Sequence, residues 1–108
     1  MGRGRAIRVT SYRREGRLVP RDAAGLRARA VVLQHGQIMD WHSTQSREEL
    51  LITLSGTVTV EVQSAPRRIR RLPLGAGRCL FLPTQTWHRL VNRSRTTAHY
   101  LYVTAPVR

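Results

Sequence analysis

The sequence predicts an all-β domain, an antiparallel sandwich or barrel assembled from short strands. Three observations carry that expectation. Residues 57–62 read TVTVEV, which sets Val58, Val60 and Val62 on one face and Thr57, Thr59 and Glu61 on the other. Runs rich in Val, Thr and Tyr recur at short intervals along the chain, as strands of such folds do. Turn signals separate them: SAP at 64–66, LGAG at 74–77 and NRSR at 92–95.

Taken in order, strand character falls on residues 7–12, 28–34, 49–55, 57–62, 69–72, 79–82, 87–92 and 98–104. The run at 49–55, ELLITLS, meets TVTVEV through Gly56, which makes the turn between the two. One segment, 21–30, has a helical reading, and Gly25 weakens it. Its 108 residues suit a single domain spanning 1–108, with an apolar fraction of 41% that is enough for one core.

Charge and cysteine usage narrow the function classes. All 19 basic residues are arginine against six acids, a net charge of +13. Such a surface attracts polyanions, anionic lipid or acidic small molecules. Arginines crowd the first thirty residues and the RRIRR run at 67–71. No helix-turn-helix, zinc-finger or RNA-recognition pattern accompanies them, so nucleic acid is not the expected partner. Arginines on a strand edge also discourage edge-to-edge pairing. The single cysteine, Cys79, excludes an intrachain disulfide and is expected in the core, and the default location is the reducing cytoplasm. No apolar run is long enough to span a bilayer. The basic N-terminus lacks the apolar stretch of a secretory signal, and Ala6 breaks the myristoylation pattern.

Two stretches carry the chemistry. The first, at 36–56, holds Gly36, then after five intervening residues His42, Thr44, Glu49 and Gly56; the second, at 77–92, holds Gly77, Pro83, Gln85, His88 and Asn92. His42 and Thr44 are two apart on a strand and share a face. Glu49 opens the next strand after the loop at 45–48, and it shares a face with Leu51 and Thr53. If a barrel closes, two imidazoles and one carboxylate meet in its lumen. That set suits Fe(II) with open positions, and also accepts Mn(II), Ni(II) or Zn(II).

The paired stretches resemble the two motifs of the cupin superfamily: glycine, five residues, His-x-His, three or four residues, glutamate, six residues, glycine; then glycine, five residues, Pro-x-Gly, two residues, histidine, three residues, asparagine. The resemblance spans 36–92. It implies a single jelly-roll barrel (double-stranded β-helix) and a divalent metal held by His42, Glu49 and His88. Glu48 is an alternative to Glu49, since the family spacing permits three or four residues there. Two positions depart from the pattern. Thr44 replaces the second histidine and leaves room for water or substrate at the metal. Gln85 replaces the glycine of Pro-x-Gly; it alters a turn and is a candidate for the pocket mouth.

The remaining candidates have plainer readings. His35 and His99 are ordinary core or surface histidines. Trp41 and Trp87 each precede a ligand histidine and face away from the lumen, to pack between sheets or across a dimer interface. Asn92 serves structure. Tyr100 and Tyr102 share a face, and one of them is a candidate acid or base.

What the resemblance implies about reaction is broad, because the fold does not fix the function. The leading expectation is a small cupin acting on an anionic small molecule, with an Fe(II)-dependent dioxygenase the most natural enzyme reading. The alternatives are a sensor barrel that holds a ligand without chemistry and a metal-free sugar-type isomerase or epimerase using a histidine base. A homodimer is implied as well, with the basic residues 1–30 and their strand at 7–12 as the pairing element.

Overall fold

A computed structural model describes residues 7–107. Among the described residues nine strands, every pairing antiparallel, form two sheets, and there is no helix. The first sheet runs in the order β1 (Gly16–Arg17), β2 (Arg27–Leu33), β9 (Ala98–Pro106), β4 (Arg47–Ser55) and β7 (Cys79–Leu82). The second runs β3 (Ile38–Ser43), β8 (Trp87–Val91), β5 (Thr57–Ala65) and β6 (Arg68–Gly75). The sheets close on each other as a jelly roll.

Alternation builds the core. From β5 come Val58 and Val60, from β4 Leu51, from β8 Leu90, from β9 Tyr100 and from β2 Val31 and Leu33, all buried in one cluster. Each such side chain contributes roughly 1.5–3 kcal/mol. The β4–β5 turn is fixed by sterics as well as by conformation. Gly56 has φ +72°, and a Cβ there would stand 2.7 Å from the Thr97 carbonyl oxygen and 2.9 Å from the Ala98 Cα.

The N-terminal third departs from the expected reading. Residues 7–11 form no strand, and Ile7 and Val9 are 99% exposed. The only strand before residue 27 among the described residues is the two-residue β1. The proposed helix at 21–30 is absent: residues 21–26 are turns, and β2 begins at Arg27. Arg-Ala-Arg-Ala has good helix propensity, but here β2 pairs with β9 over its whole length. Cys79, expected in the core, is exposed, because β7 is an edge strand and its outward residues meet no second layer. The arginine-rich β6 is the other sheet's edge, in line with the expected protection against edge pairing.

Candidate metal centre

The two motifs lie on neighbouring strands. β3 pairs with β8, and His42 and His88 are direct cross-strand partners. Backbone bonds tie the motifs at both ends. The Gly36 amide donates to the Asn92 carbonyl at 2.8 Å and the Asn92 amide to the Gln37 carbonyl at 3.1 Å. At the other end Thr44 N donates to Thr86 O (3.1 Å) and Gln85 N to Gln45 O (2.9 Å). Within β3 the register shifts between Met39 and His42, so that both line the same cavity although they are three residues apart. A bulge of this kind re-aims a side chain. Here it turns His42 inward and Trp41 outward, and brings the Asp40 carbonyl beside the imidazole.

Each histidine is held by one ring nitrogen. His42 Nδ1–H donates to Asp40 O at 2.7 Å and His88 Nδ1–H to Thr86 O at 3.0 Å. A carbonyl only accepts, so the proton sits on Nδ1, and in the neutral ring Nε2 is left with its lone pair. Backbone carbonyls orient metal-binding histidines in this way. His88 is fully buried, and its Nε2 has no hydrogen-bond partner among the described residues. It stands 3.8 Å from Glu49 Oε2.

Glu49, 8% exposed, points in from β4. Ligand atoms of His42, Glu49 and His88 all lie within 4.8 Å of one another. Two cis donors bonded to one ion at about 2.1 Å stand about 3 Å apart, so closure asks the side chains to draw together by roughly 1–2 Å. A buried, unpartnered imidazole nitrogen facing a buried carboxylate fits a divalent cation. Of the adjacent glutamates, Glu49 is in the cluster and Glu48 is exposed on the outward face of β4.

The two departures from the motif have structural explanations. Thr44 lines the cavity, but its hydroxyl donates to Pro83 O at 2.7 Å and accepts from Thr86 N at 3.0 Å. It stitches β3 to the β7–β8 loop instead of standing free for water. Gln85 does not line the cavity; it is exposed, with φ +56°. The family's glycine belongs at such a left-handed position, and here the turn persists with a side chain that projects into solvent. Asn92 is structural: its amide donates to Leu33 O and Thr96 O, and its oxygen accepts from Ser94. His35 is likewise an ordinary surface histidine, its ring bonded to Ser94 O.

The tryptophans pack neither between the sheets nor in the lumen. They stack on each other outside the four-stranded sheet, centroids 6.4 Å apart, with the Arg89 guanidinium 5.1 Å from the Trp41 ring. Beside them lies a site the sequence reading missed. Glu61, assigned to the polar face, has no solvent exposure and receives Arg71 (2.8 Å), Arg89 (2.5 Å) and Arg93 (2.7 Å). Burial pushes its carboxyl up, and the hydrogen bonds from Arg89, Arg93 and Arg71 outweigh that and bring it down to about 2. Three arginines remote in sequence converge on it, so only strand pairing exposes the arrangement.

His42 and Glu49 line a cavity of about 900 Å³, whose walls also include Tyr100, Tyr102 and five arginines: Arg17, Arg21, Arg27, Arg29 and Arg47. Burial, with Glu49's negative charge behind it, pushes the Tyr100 hydroxyl far above the usual phenol range. The sequence reading counted Arg27 and Arg29 only among the crowded N-terminal arginines; in RARAVVL as a strand they fall on the face of Val31 and Leu33.

A two-sheet antiparallel barrel with paired His-bearing strands and an inward carboxylate is a jelly roll of the cupin type. A family model described as "Cupin domain" matches residues 29–104, and the chain belongs to the cupin family. No curated protein matches the sequence. Among solved structures, the TT1209 protein of Thermus thermophilus superposes with a TM-score of 0.71 at 23% identity, covering 90% of each chain. The cupin domain of Schizosaccharomyces pombe Cnp3 gives 0.73 at 13% identity, over 86% of this chain and 60% of that one. An oxalate oxidase in complex with glycolate gives 0.70 at 16% identity, over 79% of this chain. This chain spans 44% of that oxidase's length. At these identities the likeness is one of fold.

Proposed function

We propose that this cupin holds one divalent transition metal through His42 Nε2, His88 Nε2 and the Glu49 carboxylate, and acts on a small anionic molecule in its cavity. The observation that carries this is His88 Nε2: buried, oriented by its own Nδ1–H, and without a partner among the described residues. Two histidines and one carboxylate favour Fe(II), with Mn(II), Ni(II) or Zn(II) as further occupants, and a dioxygenase-type reaction. When bound, such a metal supplies a Lewis acid and open positions for dioxygen and an oxygen-donating substrate.

The protein's own groups do the rest. The carbonyls of Asp40 and Thr86 fix both imidazoles, and Glu49 offsets part of the ion's charge. Tyr100 stays protonated at neutral pH and is a hydrogen-bond donor to an oxyanion in the cavity. The arginines on the cavity wall draw in anions. A non-catalytic ligand-binding barrel is the second reading. It is favoured by Thr44, which occupies the second histidine's position and commits its hydroxyl to the backbone.

The test is elemental mass spectrometry on untagged protein purified without chelator, beside His88→Ala and Glu49→Ala. About one equivalent of transition metal, lost in both variants, is expected, and oxygen uptake with candidate anions then separates the two readings. No metal after anaerobic reconstitution with all four ions would overturn the metal reading and leave the metal-free alternatives.

Assembly as a homodimer in the cytoplasm is part of the same proposal. Leu50 and Phe81, cross-strand partners outside the five-stranded sheet, are 39% and 56% exposed. Sedimentation equilibrium should give a dimer that Phe81→Glu dissociates; a monomeric wild type would refute it.

A further inference from the structure

The cavity wall carries a charge arrangement that the metal centre does not account for. Arg17 on β1 and Arg29 on β2 are direct cross-strand partners, and both line the cavity with Arg27, two residues along β2. Like charges set opposite each other destabilise a sheet. None of the three makes a salt bridge among the described residues, where the ion pairs involve only Glu61 and Glu49. All three are exposed at the cavity mouth.

Arg47 stands apart from this group. Its guanidinium donates to Thr104 Oγ1 (2.8 Å), to Thr104 O (3.1 Å) and to Gly25 O, pinning the 21–26 connection beside the mouth. Burial, and then the positive charge of Arg27, lower its pKa, so Arg27 is near enough to be felt.

Register relates these arginines to the metal centre. Arg27 pairs with Thr104, which pairs with Glu49. Two strand spacings of about 4.8 Å put the Arg27 and Glu49 backbones roughly 10 Å apart on the same inward face. Arginine's planar fork matches the oxygens of a phosphate or carboxylate.

We infer that Arg17, Arg27 and Arg29 form an oxyanion-binding rim, so that the cavity takes a small molecule with two polar ends. One end, a phosphate or carboxylate group, sits in the rim, and the other, an oxygen donor a few bonds away, reaches the His42–Glu49–His88 cluster. The inner end rests on the metal reading proposed above; the rim does not.

Isothermal titration calorimetry with inorganic phosphate and with malonate, at fixed ionic strength on EDTA-treated protein, tests the rim without metal. The wild type should bind at least one probe saturably at one site. Arg29→Gln and Arg17→Gln should each weaken it about tenfold, while Arg70→Gln, which removes the same charge from exposed β6 outside the cavity, changes it less than twofold. A preference for phosphate would point to a phosphate ester and one for malonate to a dicarboxylate, and either supports the rim. No saturable binding to the wild type, or equal weakening by Arg70→Gln, overturns it. Metal content of the Arg29→Gln protein should equal the wild type's, so failure of the rim and failure of the metal centre are read separately.

Discussion

Two glutamates leave solvent in this barrel, Glu61 on the outward face of the four-stranded sheet and Glu49 on the inward face of the five-stranded one. Glu61 is saturated. Three guanidiniums surround its two oxygens, and stacked tryptophans adjoin them. Glu49 receives no hydrogen bond from the described residues, and the nearest basic nitrogen is His88 Nε2, 3.8 Å away and itself unpartnered. A chain with 19 arginines placed none of the described ones on Glu49. A buried carboxylate without a protein partner lowers stability, which is consistent with the metal role proposed for Glu49. The contrast separates a glutamate that belongs to the fold from one that belongs to a site.

Swapping the two roles by mutation is the sharpest way to break this comparison. Glu61→Ala should lower stability in urea titrations by about 3 kcal/mol, because three clustered guanidiniums lose their counter-charge, and should leave metal content unchanged. Glu49→Gln in chelator-treated protein should fall within about 1 kcal/mol of the wild type, yet lose at least about a hundredfold in metal affinity. Comparable destabilisation by both would abolish the distinction.

Acid titration sharpens the same point. Glu61's folded carboxyl, at about 2, lies below its ordinary value of 4.5, so the unfolded chain binds the proton more readily. Its stabilisation is fully present above about pH 4.5 and is lost as the pH falls towards 2. The expected loss is about 2 kcal/mol after allowing for solvent around the half-exposed Arg71 and Arg93. In Glu61→Ala, that part of the acid dependence should vanish.

Thr44→Val should cost about 1–2 kcal/mol by orphaning the Thr86 amide, with metal content intact. Loss of metal in that variant would mean that Thr44 serves the ion directly. The smallest effect is expected at Gln85→Gly, which should raise stability by about 0.5–1 kcal/mol by relieving a left-handed φ, and should leave metal and phosphate binding unchanged.

The sequence was most legible where side-chain spacing and strand period coincide. His42, Glu49 and His88 could be assigned because motif spacing and alternation agree, and β7 at residues 79–82 was found with its bounds intact. Thr44 was placed on the correct face, but its hydroxyl partners come from a loop some forty residues away, which spacing does not reveal. In the N-terminal third the strand expected at 28–34 is β2, whereas the helix at 21–30 and the strand at 7–12 were misread, because pairing with β9 and not local propensity decides that segment. Glu61 looked like a solvent-facing residue because alternation assigns a face and says nothing of what covers it. Gln85 drew attention as an absent glycine, yet what the turn kept was the backbone angle.

The pairing of β3 with β8 also bears on how the protein matures. His42 and His88 meet through the β3–β8 pairing although β4 to β7 lie between those strands in the chain, so a fragment ending before β8 lacks one of the two imidazoles. Folds rich in such sequence-distant pairings fold slowly. A nascent chain emerging from the ribosome would therefore present isolated histidines, and the ion would be loaded onto the finished barrel, its affinity adding to the stability of the whole domain at once.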